Sequence, residues 1–259
     1  MVKGIELFAS HFKGFEDSYV LIGGSACDLW MQTQGLPFRA TKDLDIVIVI
    51  EALNPEFIKK FWEFVHLAGY QTAQRSTGDN TFYRFSKPTY REYPFMLELF
   101  ARKPFPFEPE KGYTITPIPA GDDVSSLSAI LMDEGYYGLV MSMKTRDNPL
   151  EIPIITAAAL IPLKAKAWID LTERKKRGEP IDEKDIKKHR NDVFRLTGTL
   201  TEEKRINLPE GVARDFHYFI DQMLTMSEDE QINIAKSIDE KAFDGRTALG
   251  RLRVVYGIS

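Results

Sequence analysis

The chain has 259 residues, of which 43% are hydrophobic and 28% charged, which is typical of a globular protein that buries a substantial core. Its formal net charge of −4 excludes a surface that attracts nucleic acid as a whole, so any such contact requires a local basic patch. The single cysteine, Cys27, excludes a disulfide framework within the chain and is predicted to be a small core residue.

No segment has the pattern of a signal peptide or a membrane span. The first residues lack a long apolar stretch and a small-residue cleavage site. The longest apolar stretch, residues 152–163, is interrupted by polar residues and prolines and is shorter than the roughly 20 residues that cross a bilayer. We therefore expect a cytoplasmic protein with no membrane contact.

The first part of the chain predicts alternating helices and strands. Residues 3–16 carry apolar side chains at near-helical spacing, and the apolar run 19–22 predicts a strand. Gly23-Gly24 predicts a tight turn from that strand into a second helix. The apolar run 46–50, preceded by turn residues, predicts a second buried strand.

A third helix and further strands follow. Asn54-Pro55 opens the helix, and Gly69 ends it. The polar link 75–80 predicts a hairpin between two β-like runs. The β-like runs are 70–73, 81–85 and 95–100. The fold class we predict is α+β, with a mixed sheet flanked by helices.

Two aspartates stand where the second strand begins. In a strand, alternate side chains share a face, so Asp43 and Asp45 point to the same side. Two such carboxylates repel unless a cation or basic group lies between them, and their oxygens suit Mg²⁺. The simpler interpretation is that aspartates often lie at strand ends.

The turn before the second helix is a second candidate site. Gly23, Gly24 and Ser25 begin a helix, where exposed backbone N–H groups can hold phosphate oxygens. The alternative is that the glycines only form the turn.

Glu98 lies among apolar residues of the third predicted strand run, where an unpaired charge is costly. One explanation is an ion pair with Arg84 or Arg102. The other is that Glu98 forms a carboxylate trio with Asp43 and Asp45.

Residues 101–150 predict an extension of the sheet. A proline-rich connector is followed by three candidate strands with a turn at 133–135. These candidate strands are 113–118, 127–132 and 136–144.

The pattern becomes helical from Thr156, with a kink or restart at Pro162. Lys164 shares a face with apolar residues and either reaches solvent or meets an anion. Lys188 and Asp192 are four residues apart and predict either an ion pair on one helix or a functional pair. We expect a domain at 1–155 and a helical domain at 156–259.

The motifs at Gly24-Ser25 and Asp43-x-Asp45, with apolar strands on either side, resemble the nucleotidyltransferase superfamily with the DNA polymerase β-like fold. The Leu-x-Gly-Gly-Ser-Ala start and the Arg39/Thr41 lead resemble its AbiEii branch of toxin-type enzymes. Leu163-Lys164 and the segment from Lys188 to Asp192 match that branch as well.

The resemblance implies roles for these residues. Mg²⁺ or Mn²⁺ would be held by three acids, and an NTP by a second set. The metal-binding and catalytic acids would be Asp43, Asp45 and Glu98. The nucleotide-binding residues would be Gly23, Gly24, Ser25, Arg39, Thr41, Lys164, Lys188 and Asp192.

The implied reaction moves an NMP from an NTP to a hydroxyl of an acceptor. The acceptor candidates are an RNA end (tRNA in particular), a protein, or a small molecule. The AbiEii resemblance further implies the toxin of a toxin–antitoxin or abortive-infection system, with an antitoxin protein as partner. One alternative is a catalytically silent nucleotide-binding regulatory module of the same fold. Another is a metal-free structural domain whose acids are paired by Arg39, Arg84 and Lys42.

Overall fold

The structure is a computed structural model. It describes residues 2–52, 54–75, 81–101, 115–117, 130–131, 133–203, 205–238 and 243–258. The chain divides into two compact units. The first consists of Met1–Met132 and Lys144–Thr156, and the second of Asp133–Met143 and Ala157–Ser259.

The first unit contains the sheet. Its helices are α1 (Ile5–His11), α2 (Gly23–Thr33) and α3 (Pro55–Ala68), with a short 3₁₀ helix at Ile50–Ala52. Its strands are β1 (Tyr19–Ile22), β2 (Asp43–Ile48), β3 (Tyr70–Arg75), β4 (Thr81–Pro88), β5 (Met96–Ala101), β6 (Ile115–Pro117), β7 (Lys144–Thr145) and β8 (Ile154–Ile155).

Within the described ranges these strands form one eight-stranded sheet in the order β6-β3-β4-β5-β2-β1-β8-β7. The pairs β1–β8, β2–β5 and β3–β6 are parallel, and the others are antiparallel. The predicted mixed sheet and the α+β class are therefore confirmed, and β3 and β4 pair antiparallel as the predicted hairpin requires, while its link at 76–80 lies outside the described residues.

One face of the sheet packs against α1 and α3 through aromatic rings. Phe8 of α1 meets Tyr19 edge-on at 5.3 Å between centroids. Phe61 of α3 lies 5.6 Å from Phe85 of β4. All four side chains are fully buried, so this cluster is the core of the first unit.

The bounds of α3 follow the sequence signals. The Asn54 side chain accepts a hydrogen bond from the Phe57 N–H at 2.8 Å, and Pro55 occupies the first helical turn. Gly69 ends the helix in the left-handed region, with φ at 61°. Both predicted ends are confirmed.

The second unit is helical. Its helices are α4 (Glu134–Ser142), α5 (Ala157–Lys176), α6 (Glu183–Thr197), α7 (Glu210–Leu224), α8 (Glu228–Ile238) and α9 (Gly245–Tyr256). Trp168 of α5 meets Phe219 of α7 edge-on at 5.4 Å, and Phe216 meets Tyr256 of α9 at 4.8 Å. The helix α5 runs without a break through Pro162.

The predicted strand at 136–144 is wrong, because this segment forms α4. The Asp133 side chain accepts hydrogen bonds from the N–H groups of Gly135 and Tyr136, at 2.8 and 3.2 Å, and so caps a helix where we expected a turn. Of the predicted run, only its last residue, Lys144, lies in a strand, β7.

The other two candidate strands of this region have different outcomes. The run 113–118 contains β6, which extends the sheet beside β3. Of 127–132, only 130–131 are described, and they are helical. The proline-rich connector lies outside the described residues. In the part of the chain that the structure describes, no helix is long and apolar enough to span a bilayer.

Candidate functional site

Strand register places three charged residues in one row across the sheet. Asp45 of β2 lies opposite Glu98 of β5, and Glu98 lies opposite Arg84 of β4. Because residues directly opposite each other share a face, all three side chains lie on the same side. This face is the opposite one from that carrying Tyr19 and Phe85, since side chains alternate along each strand.

The helix start lies directly beside this row. Ile22, the last residue of β1, pairs with Asp45, so α2 begins next to the aspartate. The Gly24 N–H donates to Asp45 Oδ2 at 3.3 Å. A carboxylate at a helix N-terminus is favoured by the helix dipole.

Both glycines of the turn are required by geometry. Gly23 has φ at 62°, and a Cβ there would overlap the Asp45 carboxylate. A Cβ on Gly24 would lie 2.6 Å from Thr41 Oγ1. The sequence therefore uses glycine to let Asp45 and Thr41 approach the backbone of the turn.

Glu98 has both of the neighbours that the sequence left as alternatives. Its Oε1 accepts from Arg84 Nε at 3.0 Å, with both side chains largely buried. Burial, followed by the charge of Asp45 and a hydrogen bond between the two carboxyl groups, raises the pKa of Glu98 to about 8, although Arg84 acts in the opposite direction. Glu98 thus forms an ion pair with Arg84 and a carboxyl pair with Asp45.

Asp43 lies on the same face as Asp45, two residues earlier in β2 and opposite Met96 of β5. Among the residues that the structure describes, no three His, Cys, Asp or Glu side chains are grouped so that they could hold a metal ion. The structure therefore brings Asp45 and Glu98 together, but it does not close the predicted trio.

The donor chemistry of the pair fits a hard divalent cation. Paired carboxylate oxygens are the ligands that Mg²⁺ takes in proteins. Burial, and after it the charge of Asp45, raises the pKa of Glu98, so a cation bound by the two carboxylates would replace the proton that Glu98 otherwise holds. Asp45 and Glu98 are the residues that would hold such an ion, with Asp43 on the same face.

The other predicted residues of the first unit have different surroundings. The Ser25 hydroxyl is fully buried and donates to the Ile22 carbonyl at 3.2 Å. Thr41 contacts the turn at Gly24. The Arg39 guanidinium lies over the Phe38 ring, 5.1 Å from its centroid.

The second unit contains a buried charge cluster. Lys164 Nζ of α5 lies 3.3 Å from Asp192 Oδ2 of α6, and Arg195 Nη1 lies 3.2 Å from Asp192 Oδ1. Asp192 is fully buried and Lys164 is 5% exposed. Of the two alternatives for Lys164, reaching solvent or meeting an anion, the structure shows the second, and the anion is the Asp192 carboxylate.

The sequence did not identify the role of Arg195, although its position three residues after Asp192 on a helix is a usable signal. Lys188 lies one turn before Asp192 on α6. The Asp192 carboxylate is therefore contacted by Arg195 from its own helix and by Lys164 from the neighbouring helix.

Comparison with known proteins adds one solved structure. No protein-family model and no curated protein match the chain. The crystal structure of an antigenic nucleotidyltransferase-like protein from Paracoccidioides brasiliensis is similar to it over 97% of this chain and 94% of that chain, with 13% identity and a TM-score of 0.38. At this TM-score we base neither fold nor function on the likeness, and the candidate site stands on its own geometry.

Proposed function

We propose that the chain is a metal-dependent nucleotidyltransferase that moves an NMP from an NTP to a hydroxyl of an acceptor. The observation that carries this proposal is the Asp45–Glu98 carboxyl pair directly beside the N-terminus of α2. A pair of acids and a row of helix N–H groups are what binding of a cation and a triphosphate requires at one place.

In this proposal the acceptor hydroxyl oxygen attacks the α-phosphorus of the NTP. A bond forms between that oxygen and phosphorus, the bond from phosphorus to the β-phosphate oxygen breaks, and pyrophosphate leaves. The hydroxyl proton passes to solvent water, because Glu98 is protonated near neutral pH without a cation and would be a ligand once a cation is bound. Arg84 holds Glu98 in position through its 3.0 Å hydrogen bond.

The negative charge of the triphosphate would be offset by backbone N–H groups and by a cation that the acids hold. The α2 N-terminus at Gly23-Gly24 would bind phosphate oxygens through its N–H groups. Mg²⁺ held by Asp45 and Glu98, with Asp43 on the same face, would neutralise phosphate charge and lower the pKa of the acceptor hydroxyl.

The test is transfer of label from NTPs carrying radioactive α-phosphate, in Mg²⁺, to a mixed pool of RNA, protein and small molecules. We expect labelling by the wild type and none by Asp45→Asn. Asp17→Asn is the matched control, because Asp17 is an exposed acid of the same unit. Equal labelling by the wild type and Asp45→Asn would refute the proposal.

The resemblance to the AbiEii branch extends the proposal to a toxin with an antitoxin partner. Expression in a bacterial host should then arrest growth, and Asp45→Asn should relieve the arrest. Growth arrest that is equal for both proteins would be unrelated to transfer and would count against the toxin role.

A second candidate is a nucleotide-binding module of the same fold without transfer. It is favoured by the ion pair of Arg84 with Glu98 and by the absence of a three-carboxylate group among the described residues. Such a module would gain thermal stability from Mg²⁺-NTP but release no pyrophosphate. Measuring both quantities on one sample separates the two candidates.

A further inference from the structure

A basic cavity of about 490 Å³ lies in the first unit, at the end of the sheet where β2 and β5 begin and β4 ends. Four cations line it, namely Lys3, Lys42, Lys87 and Arg91. None of its described lining residues is acidic. The cavity is a local basic patch on a chain whose net charge is −4, which is the condition that an anionic partner requires.

The charges of these four side chains are not neutralised within the described ranges. The structure gives none of them an ion pair or a side-chain hydrogen bond to another described residue. Some cations elsewhere in the first unit do form ion pairs, as Arg84 does with Glu98 and Arg146 with Asp17. The cations of the cavity are therefore available to a ligand.

Two aromatic rings stand among the cations. Tyr93 is half-buried, with its ring edge-on to Phe64 of α3, whereas Phe95 is 53% exposed. Lys87, at the end of β4, has φ at 58°, a conformation that residues other than glycine rarely adopt. An exposed aromatic ring among cations without ion pairs suits single-stranded nucleic acid, because a base can stack on the ring while phosphates meet the charges.

The cavity adjoins the candidate site. Thr41 lines it and also contacts the α2 start, since a Cβ on Gly24 would lie 2.6 Å from Thr41 Oγ1. Lys42, the next residue, directly precedes Asp43 at the start of β2. A ligand in the cavity would therefore lie at the end of the sheet where β2 begins, next to Thr41 and the start of α2.

We propose that this cavity binds the phosphates and bases of a single-stranded polynucleotide, which is the acceptor class for the transfer proposed above. Its role as an acceptor site rests on that proposed function, but binding itself does not. The cations come from three separate parts of the chain, namely the segment before α1, the segment before β2, and the end of β4 with the turn that follows it; this suits an extended backbone that passes several charges.

Binding is measured by fluorescence anisotropy of labelled oligonucleotides with the full chain, without NTP. The ligands are single-stranded RNA, single-stranded DNA of the same sequence, and the corresponding duplex. The variants are Lys87→Ala/Arg91→Ala for the charges and Phe95→Ala for the stacking ring. Lys13→Ala/Lys59→Ala is the matched control, because it removes two exposed charges of the same unit outside the cavity.

We expect single strands to bind more tightly than the duplex. Phe95→Ala should weaken binding about tenfold. The double variant Lys87→Ala/Arg91→Ala should reduce the slope of log affinity against log salt by about 1.4, since each single-strand phosphate contact contributes about 0.7. The control should match the wild type. A preference for RNA over DNA would show that a 2′-hydroxyl is recognised, whereas equal binding would assign the site to any single strand.

Two results would overturn the inference. One is binding that is unchanged by both cavity variants. The other is loss of Mg²⁺-ATP binding in Lys87→Ala/Arg91→Ala with polynucleotide binding unchanged, which would assign the cavity to the donor nucleotide. Polynucleotide binding that depends on the cavity, in a protein that transfers no label, would support this site and remove only the proposed transfer.

Discussion

Replacement of Glu98 by glutamine tests the carboxyl pair directly. The amide can accept from Arg84 and donate to Asp45, so it reproduces the protonated form of Glu98 without its titration. Burial and Asp45 raise the pKa of Glu98 from 4.5 to about 8. Between these two pH values the folded protein holds a proton that the unfolded chain has released, so stability falls as the pH rises.

The magnitude follows from the two pKa values. A rise from 4.5 to about 8 is equivalent to about 5 kcal/mol when the pH is well above both. Between about pH 5.5 and about pH 8.5 the wild type should lose roughly 3 kcal/mol of its free energy of unfolding through this group alone. Glu98→Gln lacks this loss, so the two proteins should diverge in stability by that amount.

The measurement is urea-induced unfolding of wild type and Glu98→Gln across this pH range. Glu56→Gln serves as the control, since Glu56 is an exposed carboxylate of the same unit. Its free energy of unfolding should change with pH in the same way as that of the wild type. Parallel pH profiles for wild type and Glu98→Gln would show that Glu98 is ionised in the folded protein and would refute the carboxyl pair.

Three further predictions concern stability. Gly23→Ala should lower the free energy of unfolding by at least about 1–2 kcal/mol, because the φ of Gly23 is positive and a Cβ there would overlap Asp45. The control Gly138→Ala, which has open space around it in α4, should be neutral or slightly stabilising. Urea unfolding compares the two variants, and equal effects would contradict the close approach of Asp45 to the turn. Lys164→Met should cost about 1.5–3 kcal/mol, because it removes one of the two cations that contact the buried Asp192 carboxylate and leaves Arg195 as the other; a loss below about 1 kcal/mol in the same assay would mean that this ion pair does not form. Asn54→Ala should cost about 1 kcal/mol through loss of the α3 cap, while Asn54→Asp should retain most of the stability; a neutral alanine variant would exclude the capping hydrogen bond.

Local signals allowed much of the first unit to be predicted. The cap at Asn54 and the stop at Gly69 define α3 by short-range chemistry, and alternation along β2 places Asp43 and Asp45 on one face. The strand prediction for 136–144 was wrong because the aromatic residues and the valine of this segment favour a strand, although Asp133 before it is a residue type that caps helices.

The contacts of the candidate site could not be read in the same way. Glu98 lies opposite Asp45 because β2 and β5 are parallel neighbours, and that register depends on pairing between strands about fifty residues apart. The Lys164–Asp192 ion pair joins two helices, whereas periodicity within one helix pointed only to Lys188 as a neighbour of Asp192. Sequence patterns thus identified the charged residues, and long-range packing decided their partners.

The hydrogen bond from the Gly24 N–H to Asp45 would couple the proposed binding of nucleotide to that of the divalent ion. The aspartate already occupies the helix end at which a phosphate would arrive, so an incoming anion must compete with an internal one. If phosphate displaces Asp45 from the amide, the released carboxylate gains a free oxygen for a cation. Nucleotide and divalent ion should then bind cooperatively, each strengthening the other at this single backbone group.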